Sequence, residues 1–158
     1  MVRHVRWSGS LLVLAITTVL WPAQPAAPAF ADEVGQIKVS RGAVHIERAG
    51  RRLPATVGTK VRQSDVVVTG ADGTVGIGFL DASLLSAGPH SILKIDRFTF
   101  DSTTNQGTFE TSLRKGTLAA ISGKIAKQSP GAMKVRTPVA ILGARGTEFL
   151  VRTGAPGD

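Results

Sequence analysis

Ser86, His90 and Ser91 lie close together in the chain, with Asp81 a little earlier. These are the residue types of nucleophilic catalysis. That chemistry needs a base within hydrogen-bond reach of the nucleophile, a third group to orient the base, and donors for the oxyanion. Nearness in sequence supplies none of these, and the chain has no G-x-S-x-G elbow. His90 follows Gly88-Pro89, which places it in a turn. Asp96 and Asp101 could form a carboxylate pair, but the acids are few and scattered, and a glycosidase site would rest on nothing else. Metal chemistry fares no better. The chain has no cysteine, and past its basic start only His45 and His90 remain, which is not a zinc set. Gly70 with Gly73 and Gly143 with Gly146 do not open a helix, so they read as turns and not as nucleotide loops. The expectation is a protein that is not an enzyme, with no catalytic residue, no cofactor and no metal.

Lys and Arg number 19 against 11 Asp and Glu, a net charge of +8. The basic residues are spread singly, as at Arg41, Arg48, Lys60, Lys94 and Lys134, with pairs only at Arg51-Arg52 and Arg114-Lys115. Nucleic-acid readers cluster their charge and offer aromatic stacking surfaces, so nucleic acid is not an expected partner. The charge suits anionic envelope surfaces instead, as a steering effect that salt screens. The absence of cysteine also removes a disulfide framework and a lipid-modified N-terminal cysteine.

The first residues carry an address. Arg3, His4 and Arg6 are followed by the apolar run 11–20, then by Pro22, Pro25 and Pro28, and by Ala29-Phe30-Ala31 before Asp32. This is the three-part plan of a secretory signal peptide over residues 1–31, with cleavage expected between Ala31 and Asp32. The alternative is an uncleaved anchor, although the run is shorter than the ~20 residues of a spanning helix. No later stretch is apolar enough to span, so no transmembrane segment is expected once the signal is removed. Too few residues precede the run for a cytoplasmic domain. Without Trp7, Trp21 and Phe30 the only aromatics left are Phe79, Phe98, Phe100, Phe109 and Phe149, so Val, Ile and Leu must carry the core. Secretion without disulfides fits a periplasm.

Residues 32–158 read as one all-β domain. Turn signals recur through them at short intervals, among them Gly42, Gly50, Gly58, Gly88-Pro89, residues 105–107 and Pro130-Gly131. Helical spacing is not sustained anywhere past Asp32. The expected architecture is a twisted β-sandwich or roll of short strands, with a short β-solenoid as the alternative. The clearest strand is 74–80. There Val75, Ile77 and Phe79 share one face, and Thr74, Gly76 and Gly78 the other. Two glycines on a face let another backbone approach, which reads as close sheet packing or a bulge, with a groove floor as the alternative. Val44 and Ile46, and Met133, Val135 and Thr137, alternate more briefly. In 91–101, Leu93 and Ile95 have one parity and Phe98 and Phe100 the other, which predicts a bulge near Asp96-Arg97. Phe109, Thr111 and Leu113 lead to Lys115-Gly116, and residues 118–121 return, which predicts a hairpin. Residues 101–108 and 122–132 read as exposed loops.

A family resemblance runs through residues 59–152. Gly58 precedes Ser64-Asp65-Val66-Val67-Val68-Thr69. Phe79-Leu80-Asp81-Ala82-Ser83-Leu84-Leu85 follows, and then Leu113-Arg114-Lys115-Gly116. The closing run is Thr137-Pro138-Val139-Ala140-Ile141-Leu142-Gly143-Ala144-Arg145-Gly146-Thr147-Glu148-Phe149. In order and spacing these segments resemble the FecR domain of bacterial envelope proteins, with its "G-D-x-hydrophobic-x-T", "DGS", "L-x-x-G" and "TP-x-A-x-x-G-x-RGT-x-F". Ala82 and Ser64 stand where that pattern has glycine. At Ala82 the turn after Asp81 is therefore expected not to use positive φ freely. FecR-type signal transducers place a cytoplasmic anti-sigma segment and one spanning helix before this domain. Here a signal peptide takes that place, so the resemblance implies a stand-alone periplasmic domain without the sigma-factor role.

The motif residues, as structural or partner-contact positions, are Asp65, Thr69, Asp81, Ser83, Gly116, Thr137, Pro138, Gly143, Arg145, Gly146, Thr147 and Phe149. Pro138 has no N–H and holds Thr137 extended, which predicts an edge or a bend there. Gly143 and Gly146 bracket Arg145 in an expected sharp corner, where its guanidinium could meet a partner's carboxylate or an internal acid such as Glu148. The expected function is a non-enzymatic periplasmic protein-interaction or sensory module, accessory to envelope signalling, whose partner is an envelope protein. The alternative is a cell-wall or glycan-binding structural protein, against which stands the lack of Trp and Tyr after residue 31.

Overall fold

A computed structural model of the chain describes residues 33–144 and 148–154. The expected signal peptide and its Ala31/Asp32 junction lie outside the described residues, as do Arg145, Gly146 and Thr147. In chain order the elements are β1 (Glu33–Arg41), β2 (Val44–Arg48), β3 (Arg51–Pro54), β4 (Lys60–Arg62), β5 (Val66–Thr69), β6 (Thr74–Phe79) and β7 (Leu84–Ala87). They continue with β8 (Ile92–Phe100), β9 (Gly107–Ile121), α1 (Lys124–Gln128), β10 (Met133–Arg136), β11 (Ile141–Gly143) and β12 (Glu148–Thr153).

Alternation makes these strands. In β6, Val75, Ile77 and Phe79 are buried and the residues between them are not. The same two-residue period buries Leu85 and Ala87 in β7, and Leu118 and Ala120 in β9. In β8 the pairing with β9 shifts between Ile95 and Arg97, as the sequence predicts. The extra residue lets Leu93, Ile95 and Phe98 all face inward despite their different parity.

The strands form one curled antiparallel sheet, a half-barrel, with the order β3-β2-β5-β8-β9-β7-β6-β1-β4. The roll expected from the sequence is what forms. The solenoid alternative is not, because successive neighbours run antiparallel, and β10 beside β9 is the parallel exception among the described strands. The first part of β9 lies between β8 and β10, and its last part between β7 and β12.

The hairpin expected at Lys115-Gly116 is corrected by that strand. The chain does not reverse there; β9 runs on for 15 residues. Gly116 takes φ +95°, which bends the strand from one half of the roll into the other. A side chain would also collide with Ser91, whose Cα lies 2.5 Å from where a Cβ would sit and whose Oγ lies closer still. A glycine followed by returning apolar residues carries the same pattern for a turn and for a bend, and only the packing of Ser91 distinguishes them.

Residues 122–132 also depart from the expected exposed loop. They hold the single turn α1, which buries Ile125 fully and Ala126 nearly so. One helical turn is too short to display a period of 3.6. Ile125 packs beside Gly107 at the start of β9.

Phe79, Phe98 and Phe109 come from three different strands and meet in the core, with ring centroids 4.5–5.8 Å apart. Such pairs add ~0.5–1.5 kcal/mol each beyond the area they bury. Phe100 and Phe149 are half-buried against the same cluster. With Ile37, Ile46, Ile77, Leu85, Leu93 and Leu113 around them, the aliphatic residues carry the rest, as the composition requires.

Candidate functional site

The residues with chemical potential turn mostly inward and are used up there. Asp65 is 1% exposed. Its carboxylate accepts hydrogen bonds from Arg48 Nε and Nη2, both at 2.7 Å, and from the Arg62 backbone N–H at 2.8 Å. Hydrogen bonding to this carboxylate holds the Arg48 guanidinium above its ordinary range. The remaining reach of Arg48 Nη2 goes to the carbonyl of Lys60 at 2.8 Å. A bidentate pair of this kind fixes orientation as well as charge. Here it ties β2 to the corner between β4 and β5.

Asp81 and Ser83 form a second corner, between β6 and β7. The Asp81 carboxylate accepts the Ser83 N–H at 3.0 Å and its hydroxyl at 2.7 Å. Ser83 Oγ accepts the Gly123 N–H at 2.9 Å, and the Asp81 carbonyl accepts the Lys124 N–H at 2.8 Å, so this corner also anchors α1. Ala82 between them adopts φ +65°, against the expectation that its side chain would keep it from that region. The hydrogen bonds of its two neighbours, and its own N–H to Phe79 O at 3.0 Å, over-determine the turn. Ser64 takes φ +70° in the same way, beside Asp65.

A third group surrounds Ser91. Thr69 Oγ1 donates to Gly88 O at 2.7 Å and accepts the Ser91 N–H at 2.8 Å. Ser91 Oγ accepts the Thr117 N–H at 3.0 Å, next to the Gly116 bend. His90 sits exposed in the turn after β7 with φ +52°, as its Gly-Pro neighbours suggest, and Ser86 faces outward on β7. Ser91 is buried and bonded to backbone, and Asp81 is bonded to Ser83, so the structure does not assemble these residues into one site. Asp96 lies beside Lys94 and accepts from the Ser112 hydroxyl. Asp101 instead caps its own loop. Its carboxylate accepts the N–H groups of Thr103 and Thr104, which hold it below the usual carboxylate range. Among the described residues no group of three or more His, Asp or Glu could hold a metal ion, and no helix is long and apolar enough to cross a membrane.

Large apolar residues stand exposed at several places, among them Val57, Leu80 and the C-terminal strands, where Val139, Ile141 and Leu150 are the most exposed of their neighbours. Thr137-Pro138-Val139-Ala140 forms the tight turn of the β10–β11 hairpin. The Thr137 N–H donates to Ala140 O at 2.8 Å, and the Ala140 N–H donates back to Thr137 Oγ1 at 3.0 Å. Proline presets the backbone angle such a turn needs. Pro138 thus marks the turn that leads into an edge strand, close to the edge or bend its sequence predicts. β10 buries Met133 and Val135 and pairs with β9, whereas β11 pairs with β10 alone among the described strands. Val139 is 91% and Ile141 62% exposed, with Leu142 exposed beside them. Gly143 ends β11, and the Ala144 N–H returns to Met133 O at 2.8 Å. Lys134 and Arg136 on β10 face Glu110 on β9, at 4.0 and 3.3 Å.

A recess lies on the outer side of β6. It encloses about 520 Å³ over Gly78, between Lys38, Lys60, Leu80 and Leu84. Gly76 packs against Val39 at the β1 bulge, and Gly78 floors a shallow cleft.

Sequence reasoning did not find Arg48 as the partner of Asp65, since nothing in a strand pattern marks which distant cation a buried acid will meet. The exposure of Val139, Ile141 and Leu142 was equally hidden, because nothing in an apolar run marks which of its side chains the sheet leaves facing solvent.

No curated protein and no solved structure matches the chain. The family described as FecR protein matches residues 65–157, beginning at the buried Asp65 and running through both motif corners and the exposed hairpin. That family is associated with the bacterial envelope. The match spans more than half of the sequence, and the chain belongs to the FecR family.

Proposed function

We propose that the chain is a non-enzymatic periplasmic interaction module, accessory to envelope signalling, that binds an envelope protein through the β10–β11 hairpin. The observation that carries this reading is the hairpin itself. Among the described strands it leaves one edge of β11 unpaired beside exposed Val139, Ile141 and Leu142, while Asp65, Thr69, Asp81 and Ser83 are buried and hydrogen-bonded. An extended partner segment would add a strand beside β11. Main-chain hydrogen bonds would supply affinity, and apolar side chains set against Ile141 and Leu142 would supply selectivity. The charge of the domain would steer an acidic partner towards it without deciding the fit.

The test is capture from envelope extract by the full chain, with bound proteins identified by mass spectrometry. The expected result is retention of a component of an envelope signalling system, lost on the double substitution Val139→Asp/Ile141→Asp. Capture unchanged by that substitution would refute the hairpin as the contact. Salt-insensitive co-sedimentation with purified peptidoglycan, without a protein partner, would establish the cell-wall reading instead.

A further inference from the structure

The last strand raises a separate question. β12 pairs with β9 along six residues in unbroken register, from Glu148 opposite Ile121 to Thr153 opposite Gly116. Among the described strands nothing pairs with its other side. Edge strands are ordinarily blunted by proline, by a bulge, by inward charges or by shortness. β12 has no proline and no bulge, and its charges point outward. Leu150 at its centre is 70% exposed.

The side chains divide by face. Glu148, Leu150 and Arg152 are exposed on the outer face, whereas Val151 is buried and Phe149 half-buried on the inner one. Suppose a second strand of the same sequence lay antiparallel against this edge, about a two-fold axis at Leu150. Glu148 would then face Arg152 of the second copy, and Arg152 its Glu148. Leu150 would face Leu150, and Phe149 would face Val151. Each of these pairs, over residues 148–152, is of a stabilising kind, acid with base or apolar with apolar. A two-fold one residue either way sets Leu150 against Glu148 or Arg152 and breaks the match. The order acid–apolar–base on one face is therefore complementary to itself at a single centre.

We infer that the β12 edge is a homodimer contact, formed by antiparallel pairing of β12 with β12 of a second copy about Leu150. The contact is isologous, so it closes on itself and does not propagate into fibres. One added strand pair buries less than the ~1,200 Å² of a stable interface, so the dimer is weak and concentration-dependent. The contact is independent of the partner proposed for the β10–β11 hairpin, which uses a different strand.

Sedimentation equilibrium of the full chain, as purified from the envelope, tests this from micromolar to millimolar concentration. The wild type is expected to approach twice the monomer mass. Glu148→Arg and Arg152→Glu should each weaken association about 10-fold, because each turns two cross-strand ion pairs into repulsions. Both positions are exposed, so both variants should fold. Mixing the two variants should restore association, since the arginine introduced in one would then face the glutamate introduced in the other. Val139→Asp/Ile141→Asp should leave association unchanged. A wild type that stays monomeric throughout would overturn the inference, as would variants that associate like wild type or a mixture no better than its parts.

Discussion

The corners at Asp65 and Asp81 and the edges at β11 and β12 invert the usual placement in opposite ways. At the corners, charged and hydroxyl groups are buried and nearly every polar atom has a partner. At the edges, valine, isoleucine and leucine stand in solvent beside backbone that no other described strand pairs. Burying a carboxylate is tolerable only when it is paired and hydrogen-bonded, so the corners hold the fold together and have no capacity left over. Exposing large apolar residues on an open edge adds nothing to the fold of a monomer. Within the family match, Asp65, Asp81 and Ser83 are buried and hydrogen-bonded, whereas Val139, Ile141 and Leu142 stand exposed.

The contrast breaks most sharply at Arg48. Arg48→Ala would leave the Asp65 carboxylate with a single backbone donor, at a cost of about 3 kcal/mol. Urea unfolding should show this as a lower midpoint at constant slope, and a cost below ~0.5 kcal/mol would remove the Asp65 corner from the argument. Gly116→Ala comes next. It combines a positive-φ penalty with a collision against Ser91 and should cost about 2–3 kcal/mol, read from the same curves. A smaller effect of opposite sign is expected at the second corner. Ala82→Gly relieves the left-handed strain at φ +65° and should stabilise by less than ~1 kcal/mol, because glycine also gives the unfolded chain more freedom. The smallest effect belongs to the edge. Ile141→Asp should alter stability by no more than ~0.5 kcal/mol. A large loss there would mean that β11 serves the core and that the two regions do not differ in task.

The strands were legible wherever one face is buried and the other is not. Val75, Ile77 and Phe79 announce β6, and the change of parity between Ile95 and Phe98 announces the bulge that β8 contains. The all-β class and the need for an aliphatic core followed from composition and turn spacing. At Gly116 the same reading failed, because a bend and a reversal leave the same local trace. At residues 122–132 it failed again, because Ile125 is buried by the neighbours α1 meets and not by any period of its own. Ala82 shows the limit of rules for single residues, since the hydrogen bonds around it outweigh its own preference.

Alternation and turn chemistry act between neighbours in the chain, so the sequence alone determined the class of fold, most strands and the membership of the family. Which acid would meet which cation, which strands would be left at the edge and which apolar side chains would face solvent depend on contacts between segments far apart in the chain. Those free energies exist only once the sheet has curled. The tertiary structure alone therefore decided that Asp65 belongs to Arg48, and that Ile141 and Leu150 stand at the surface.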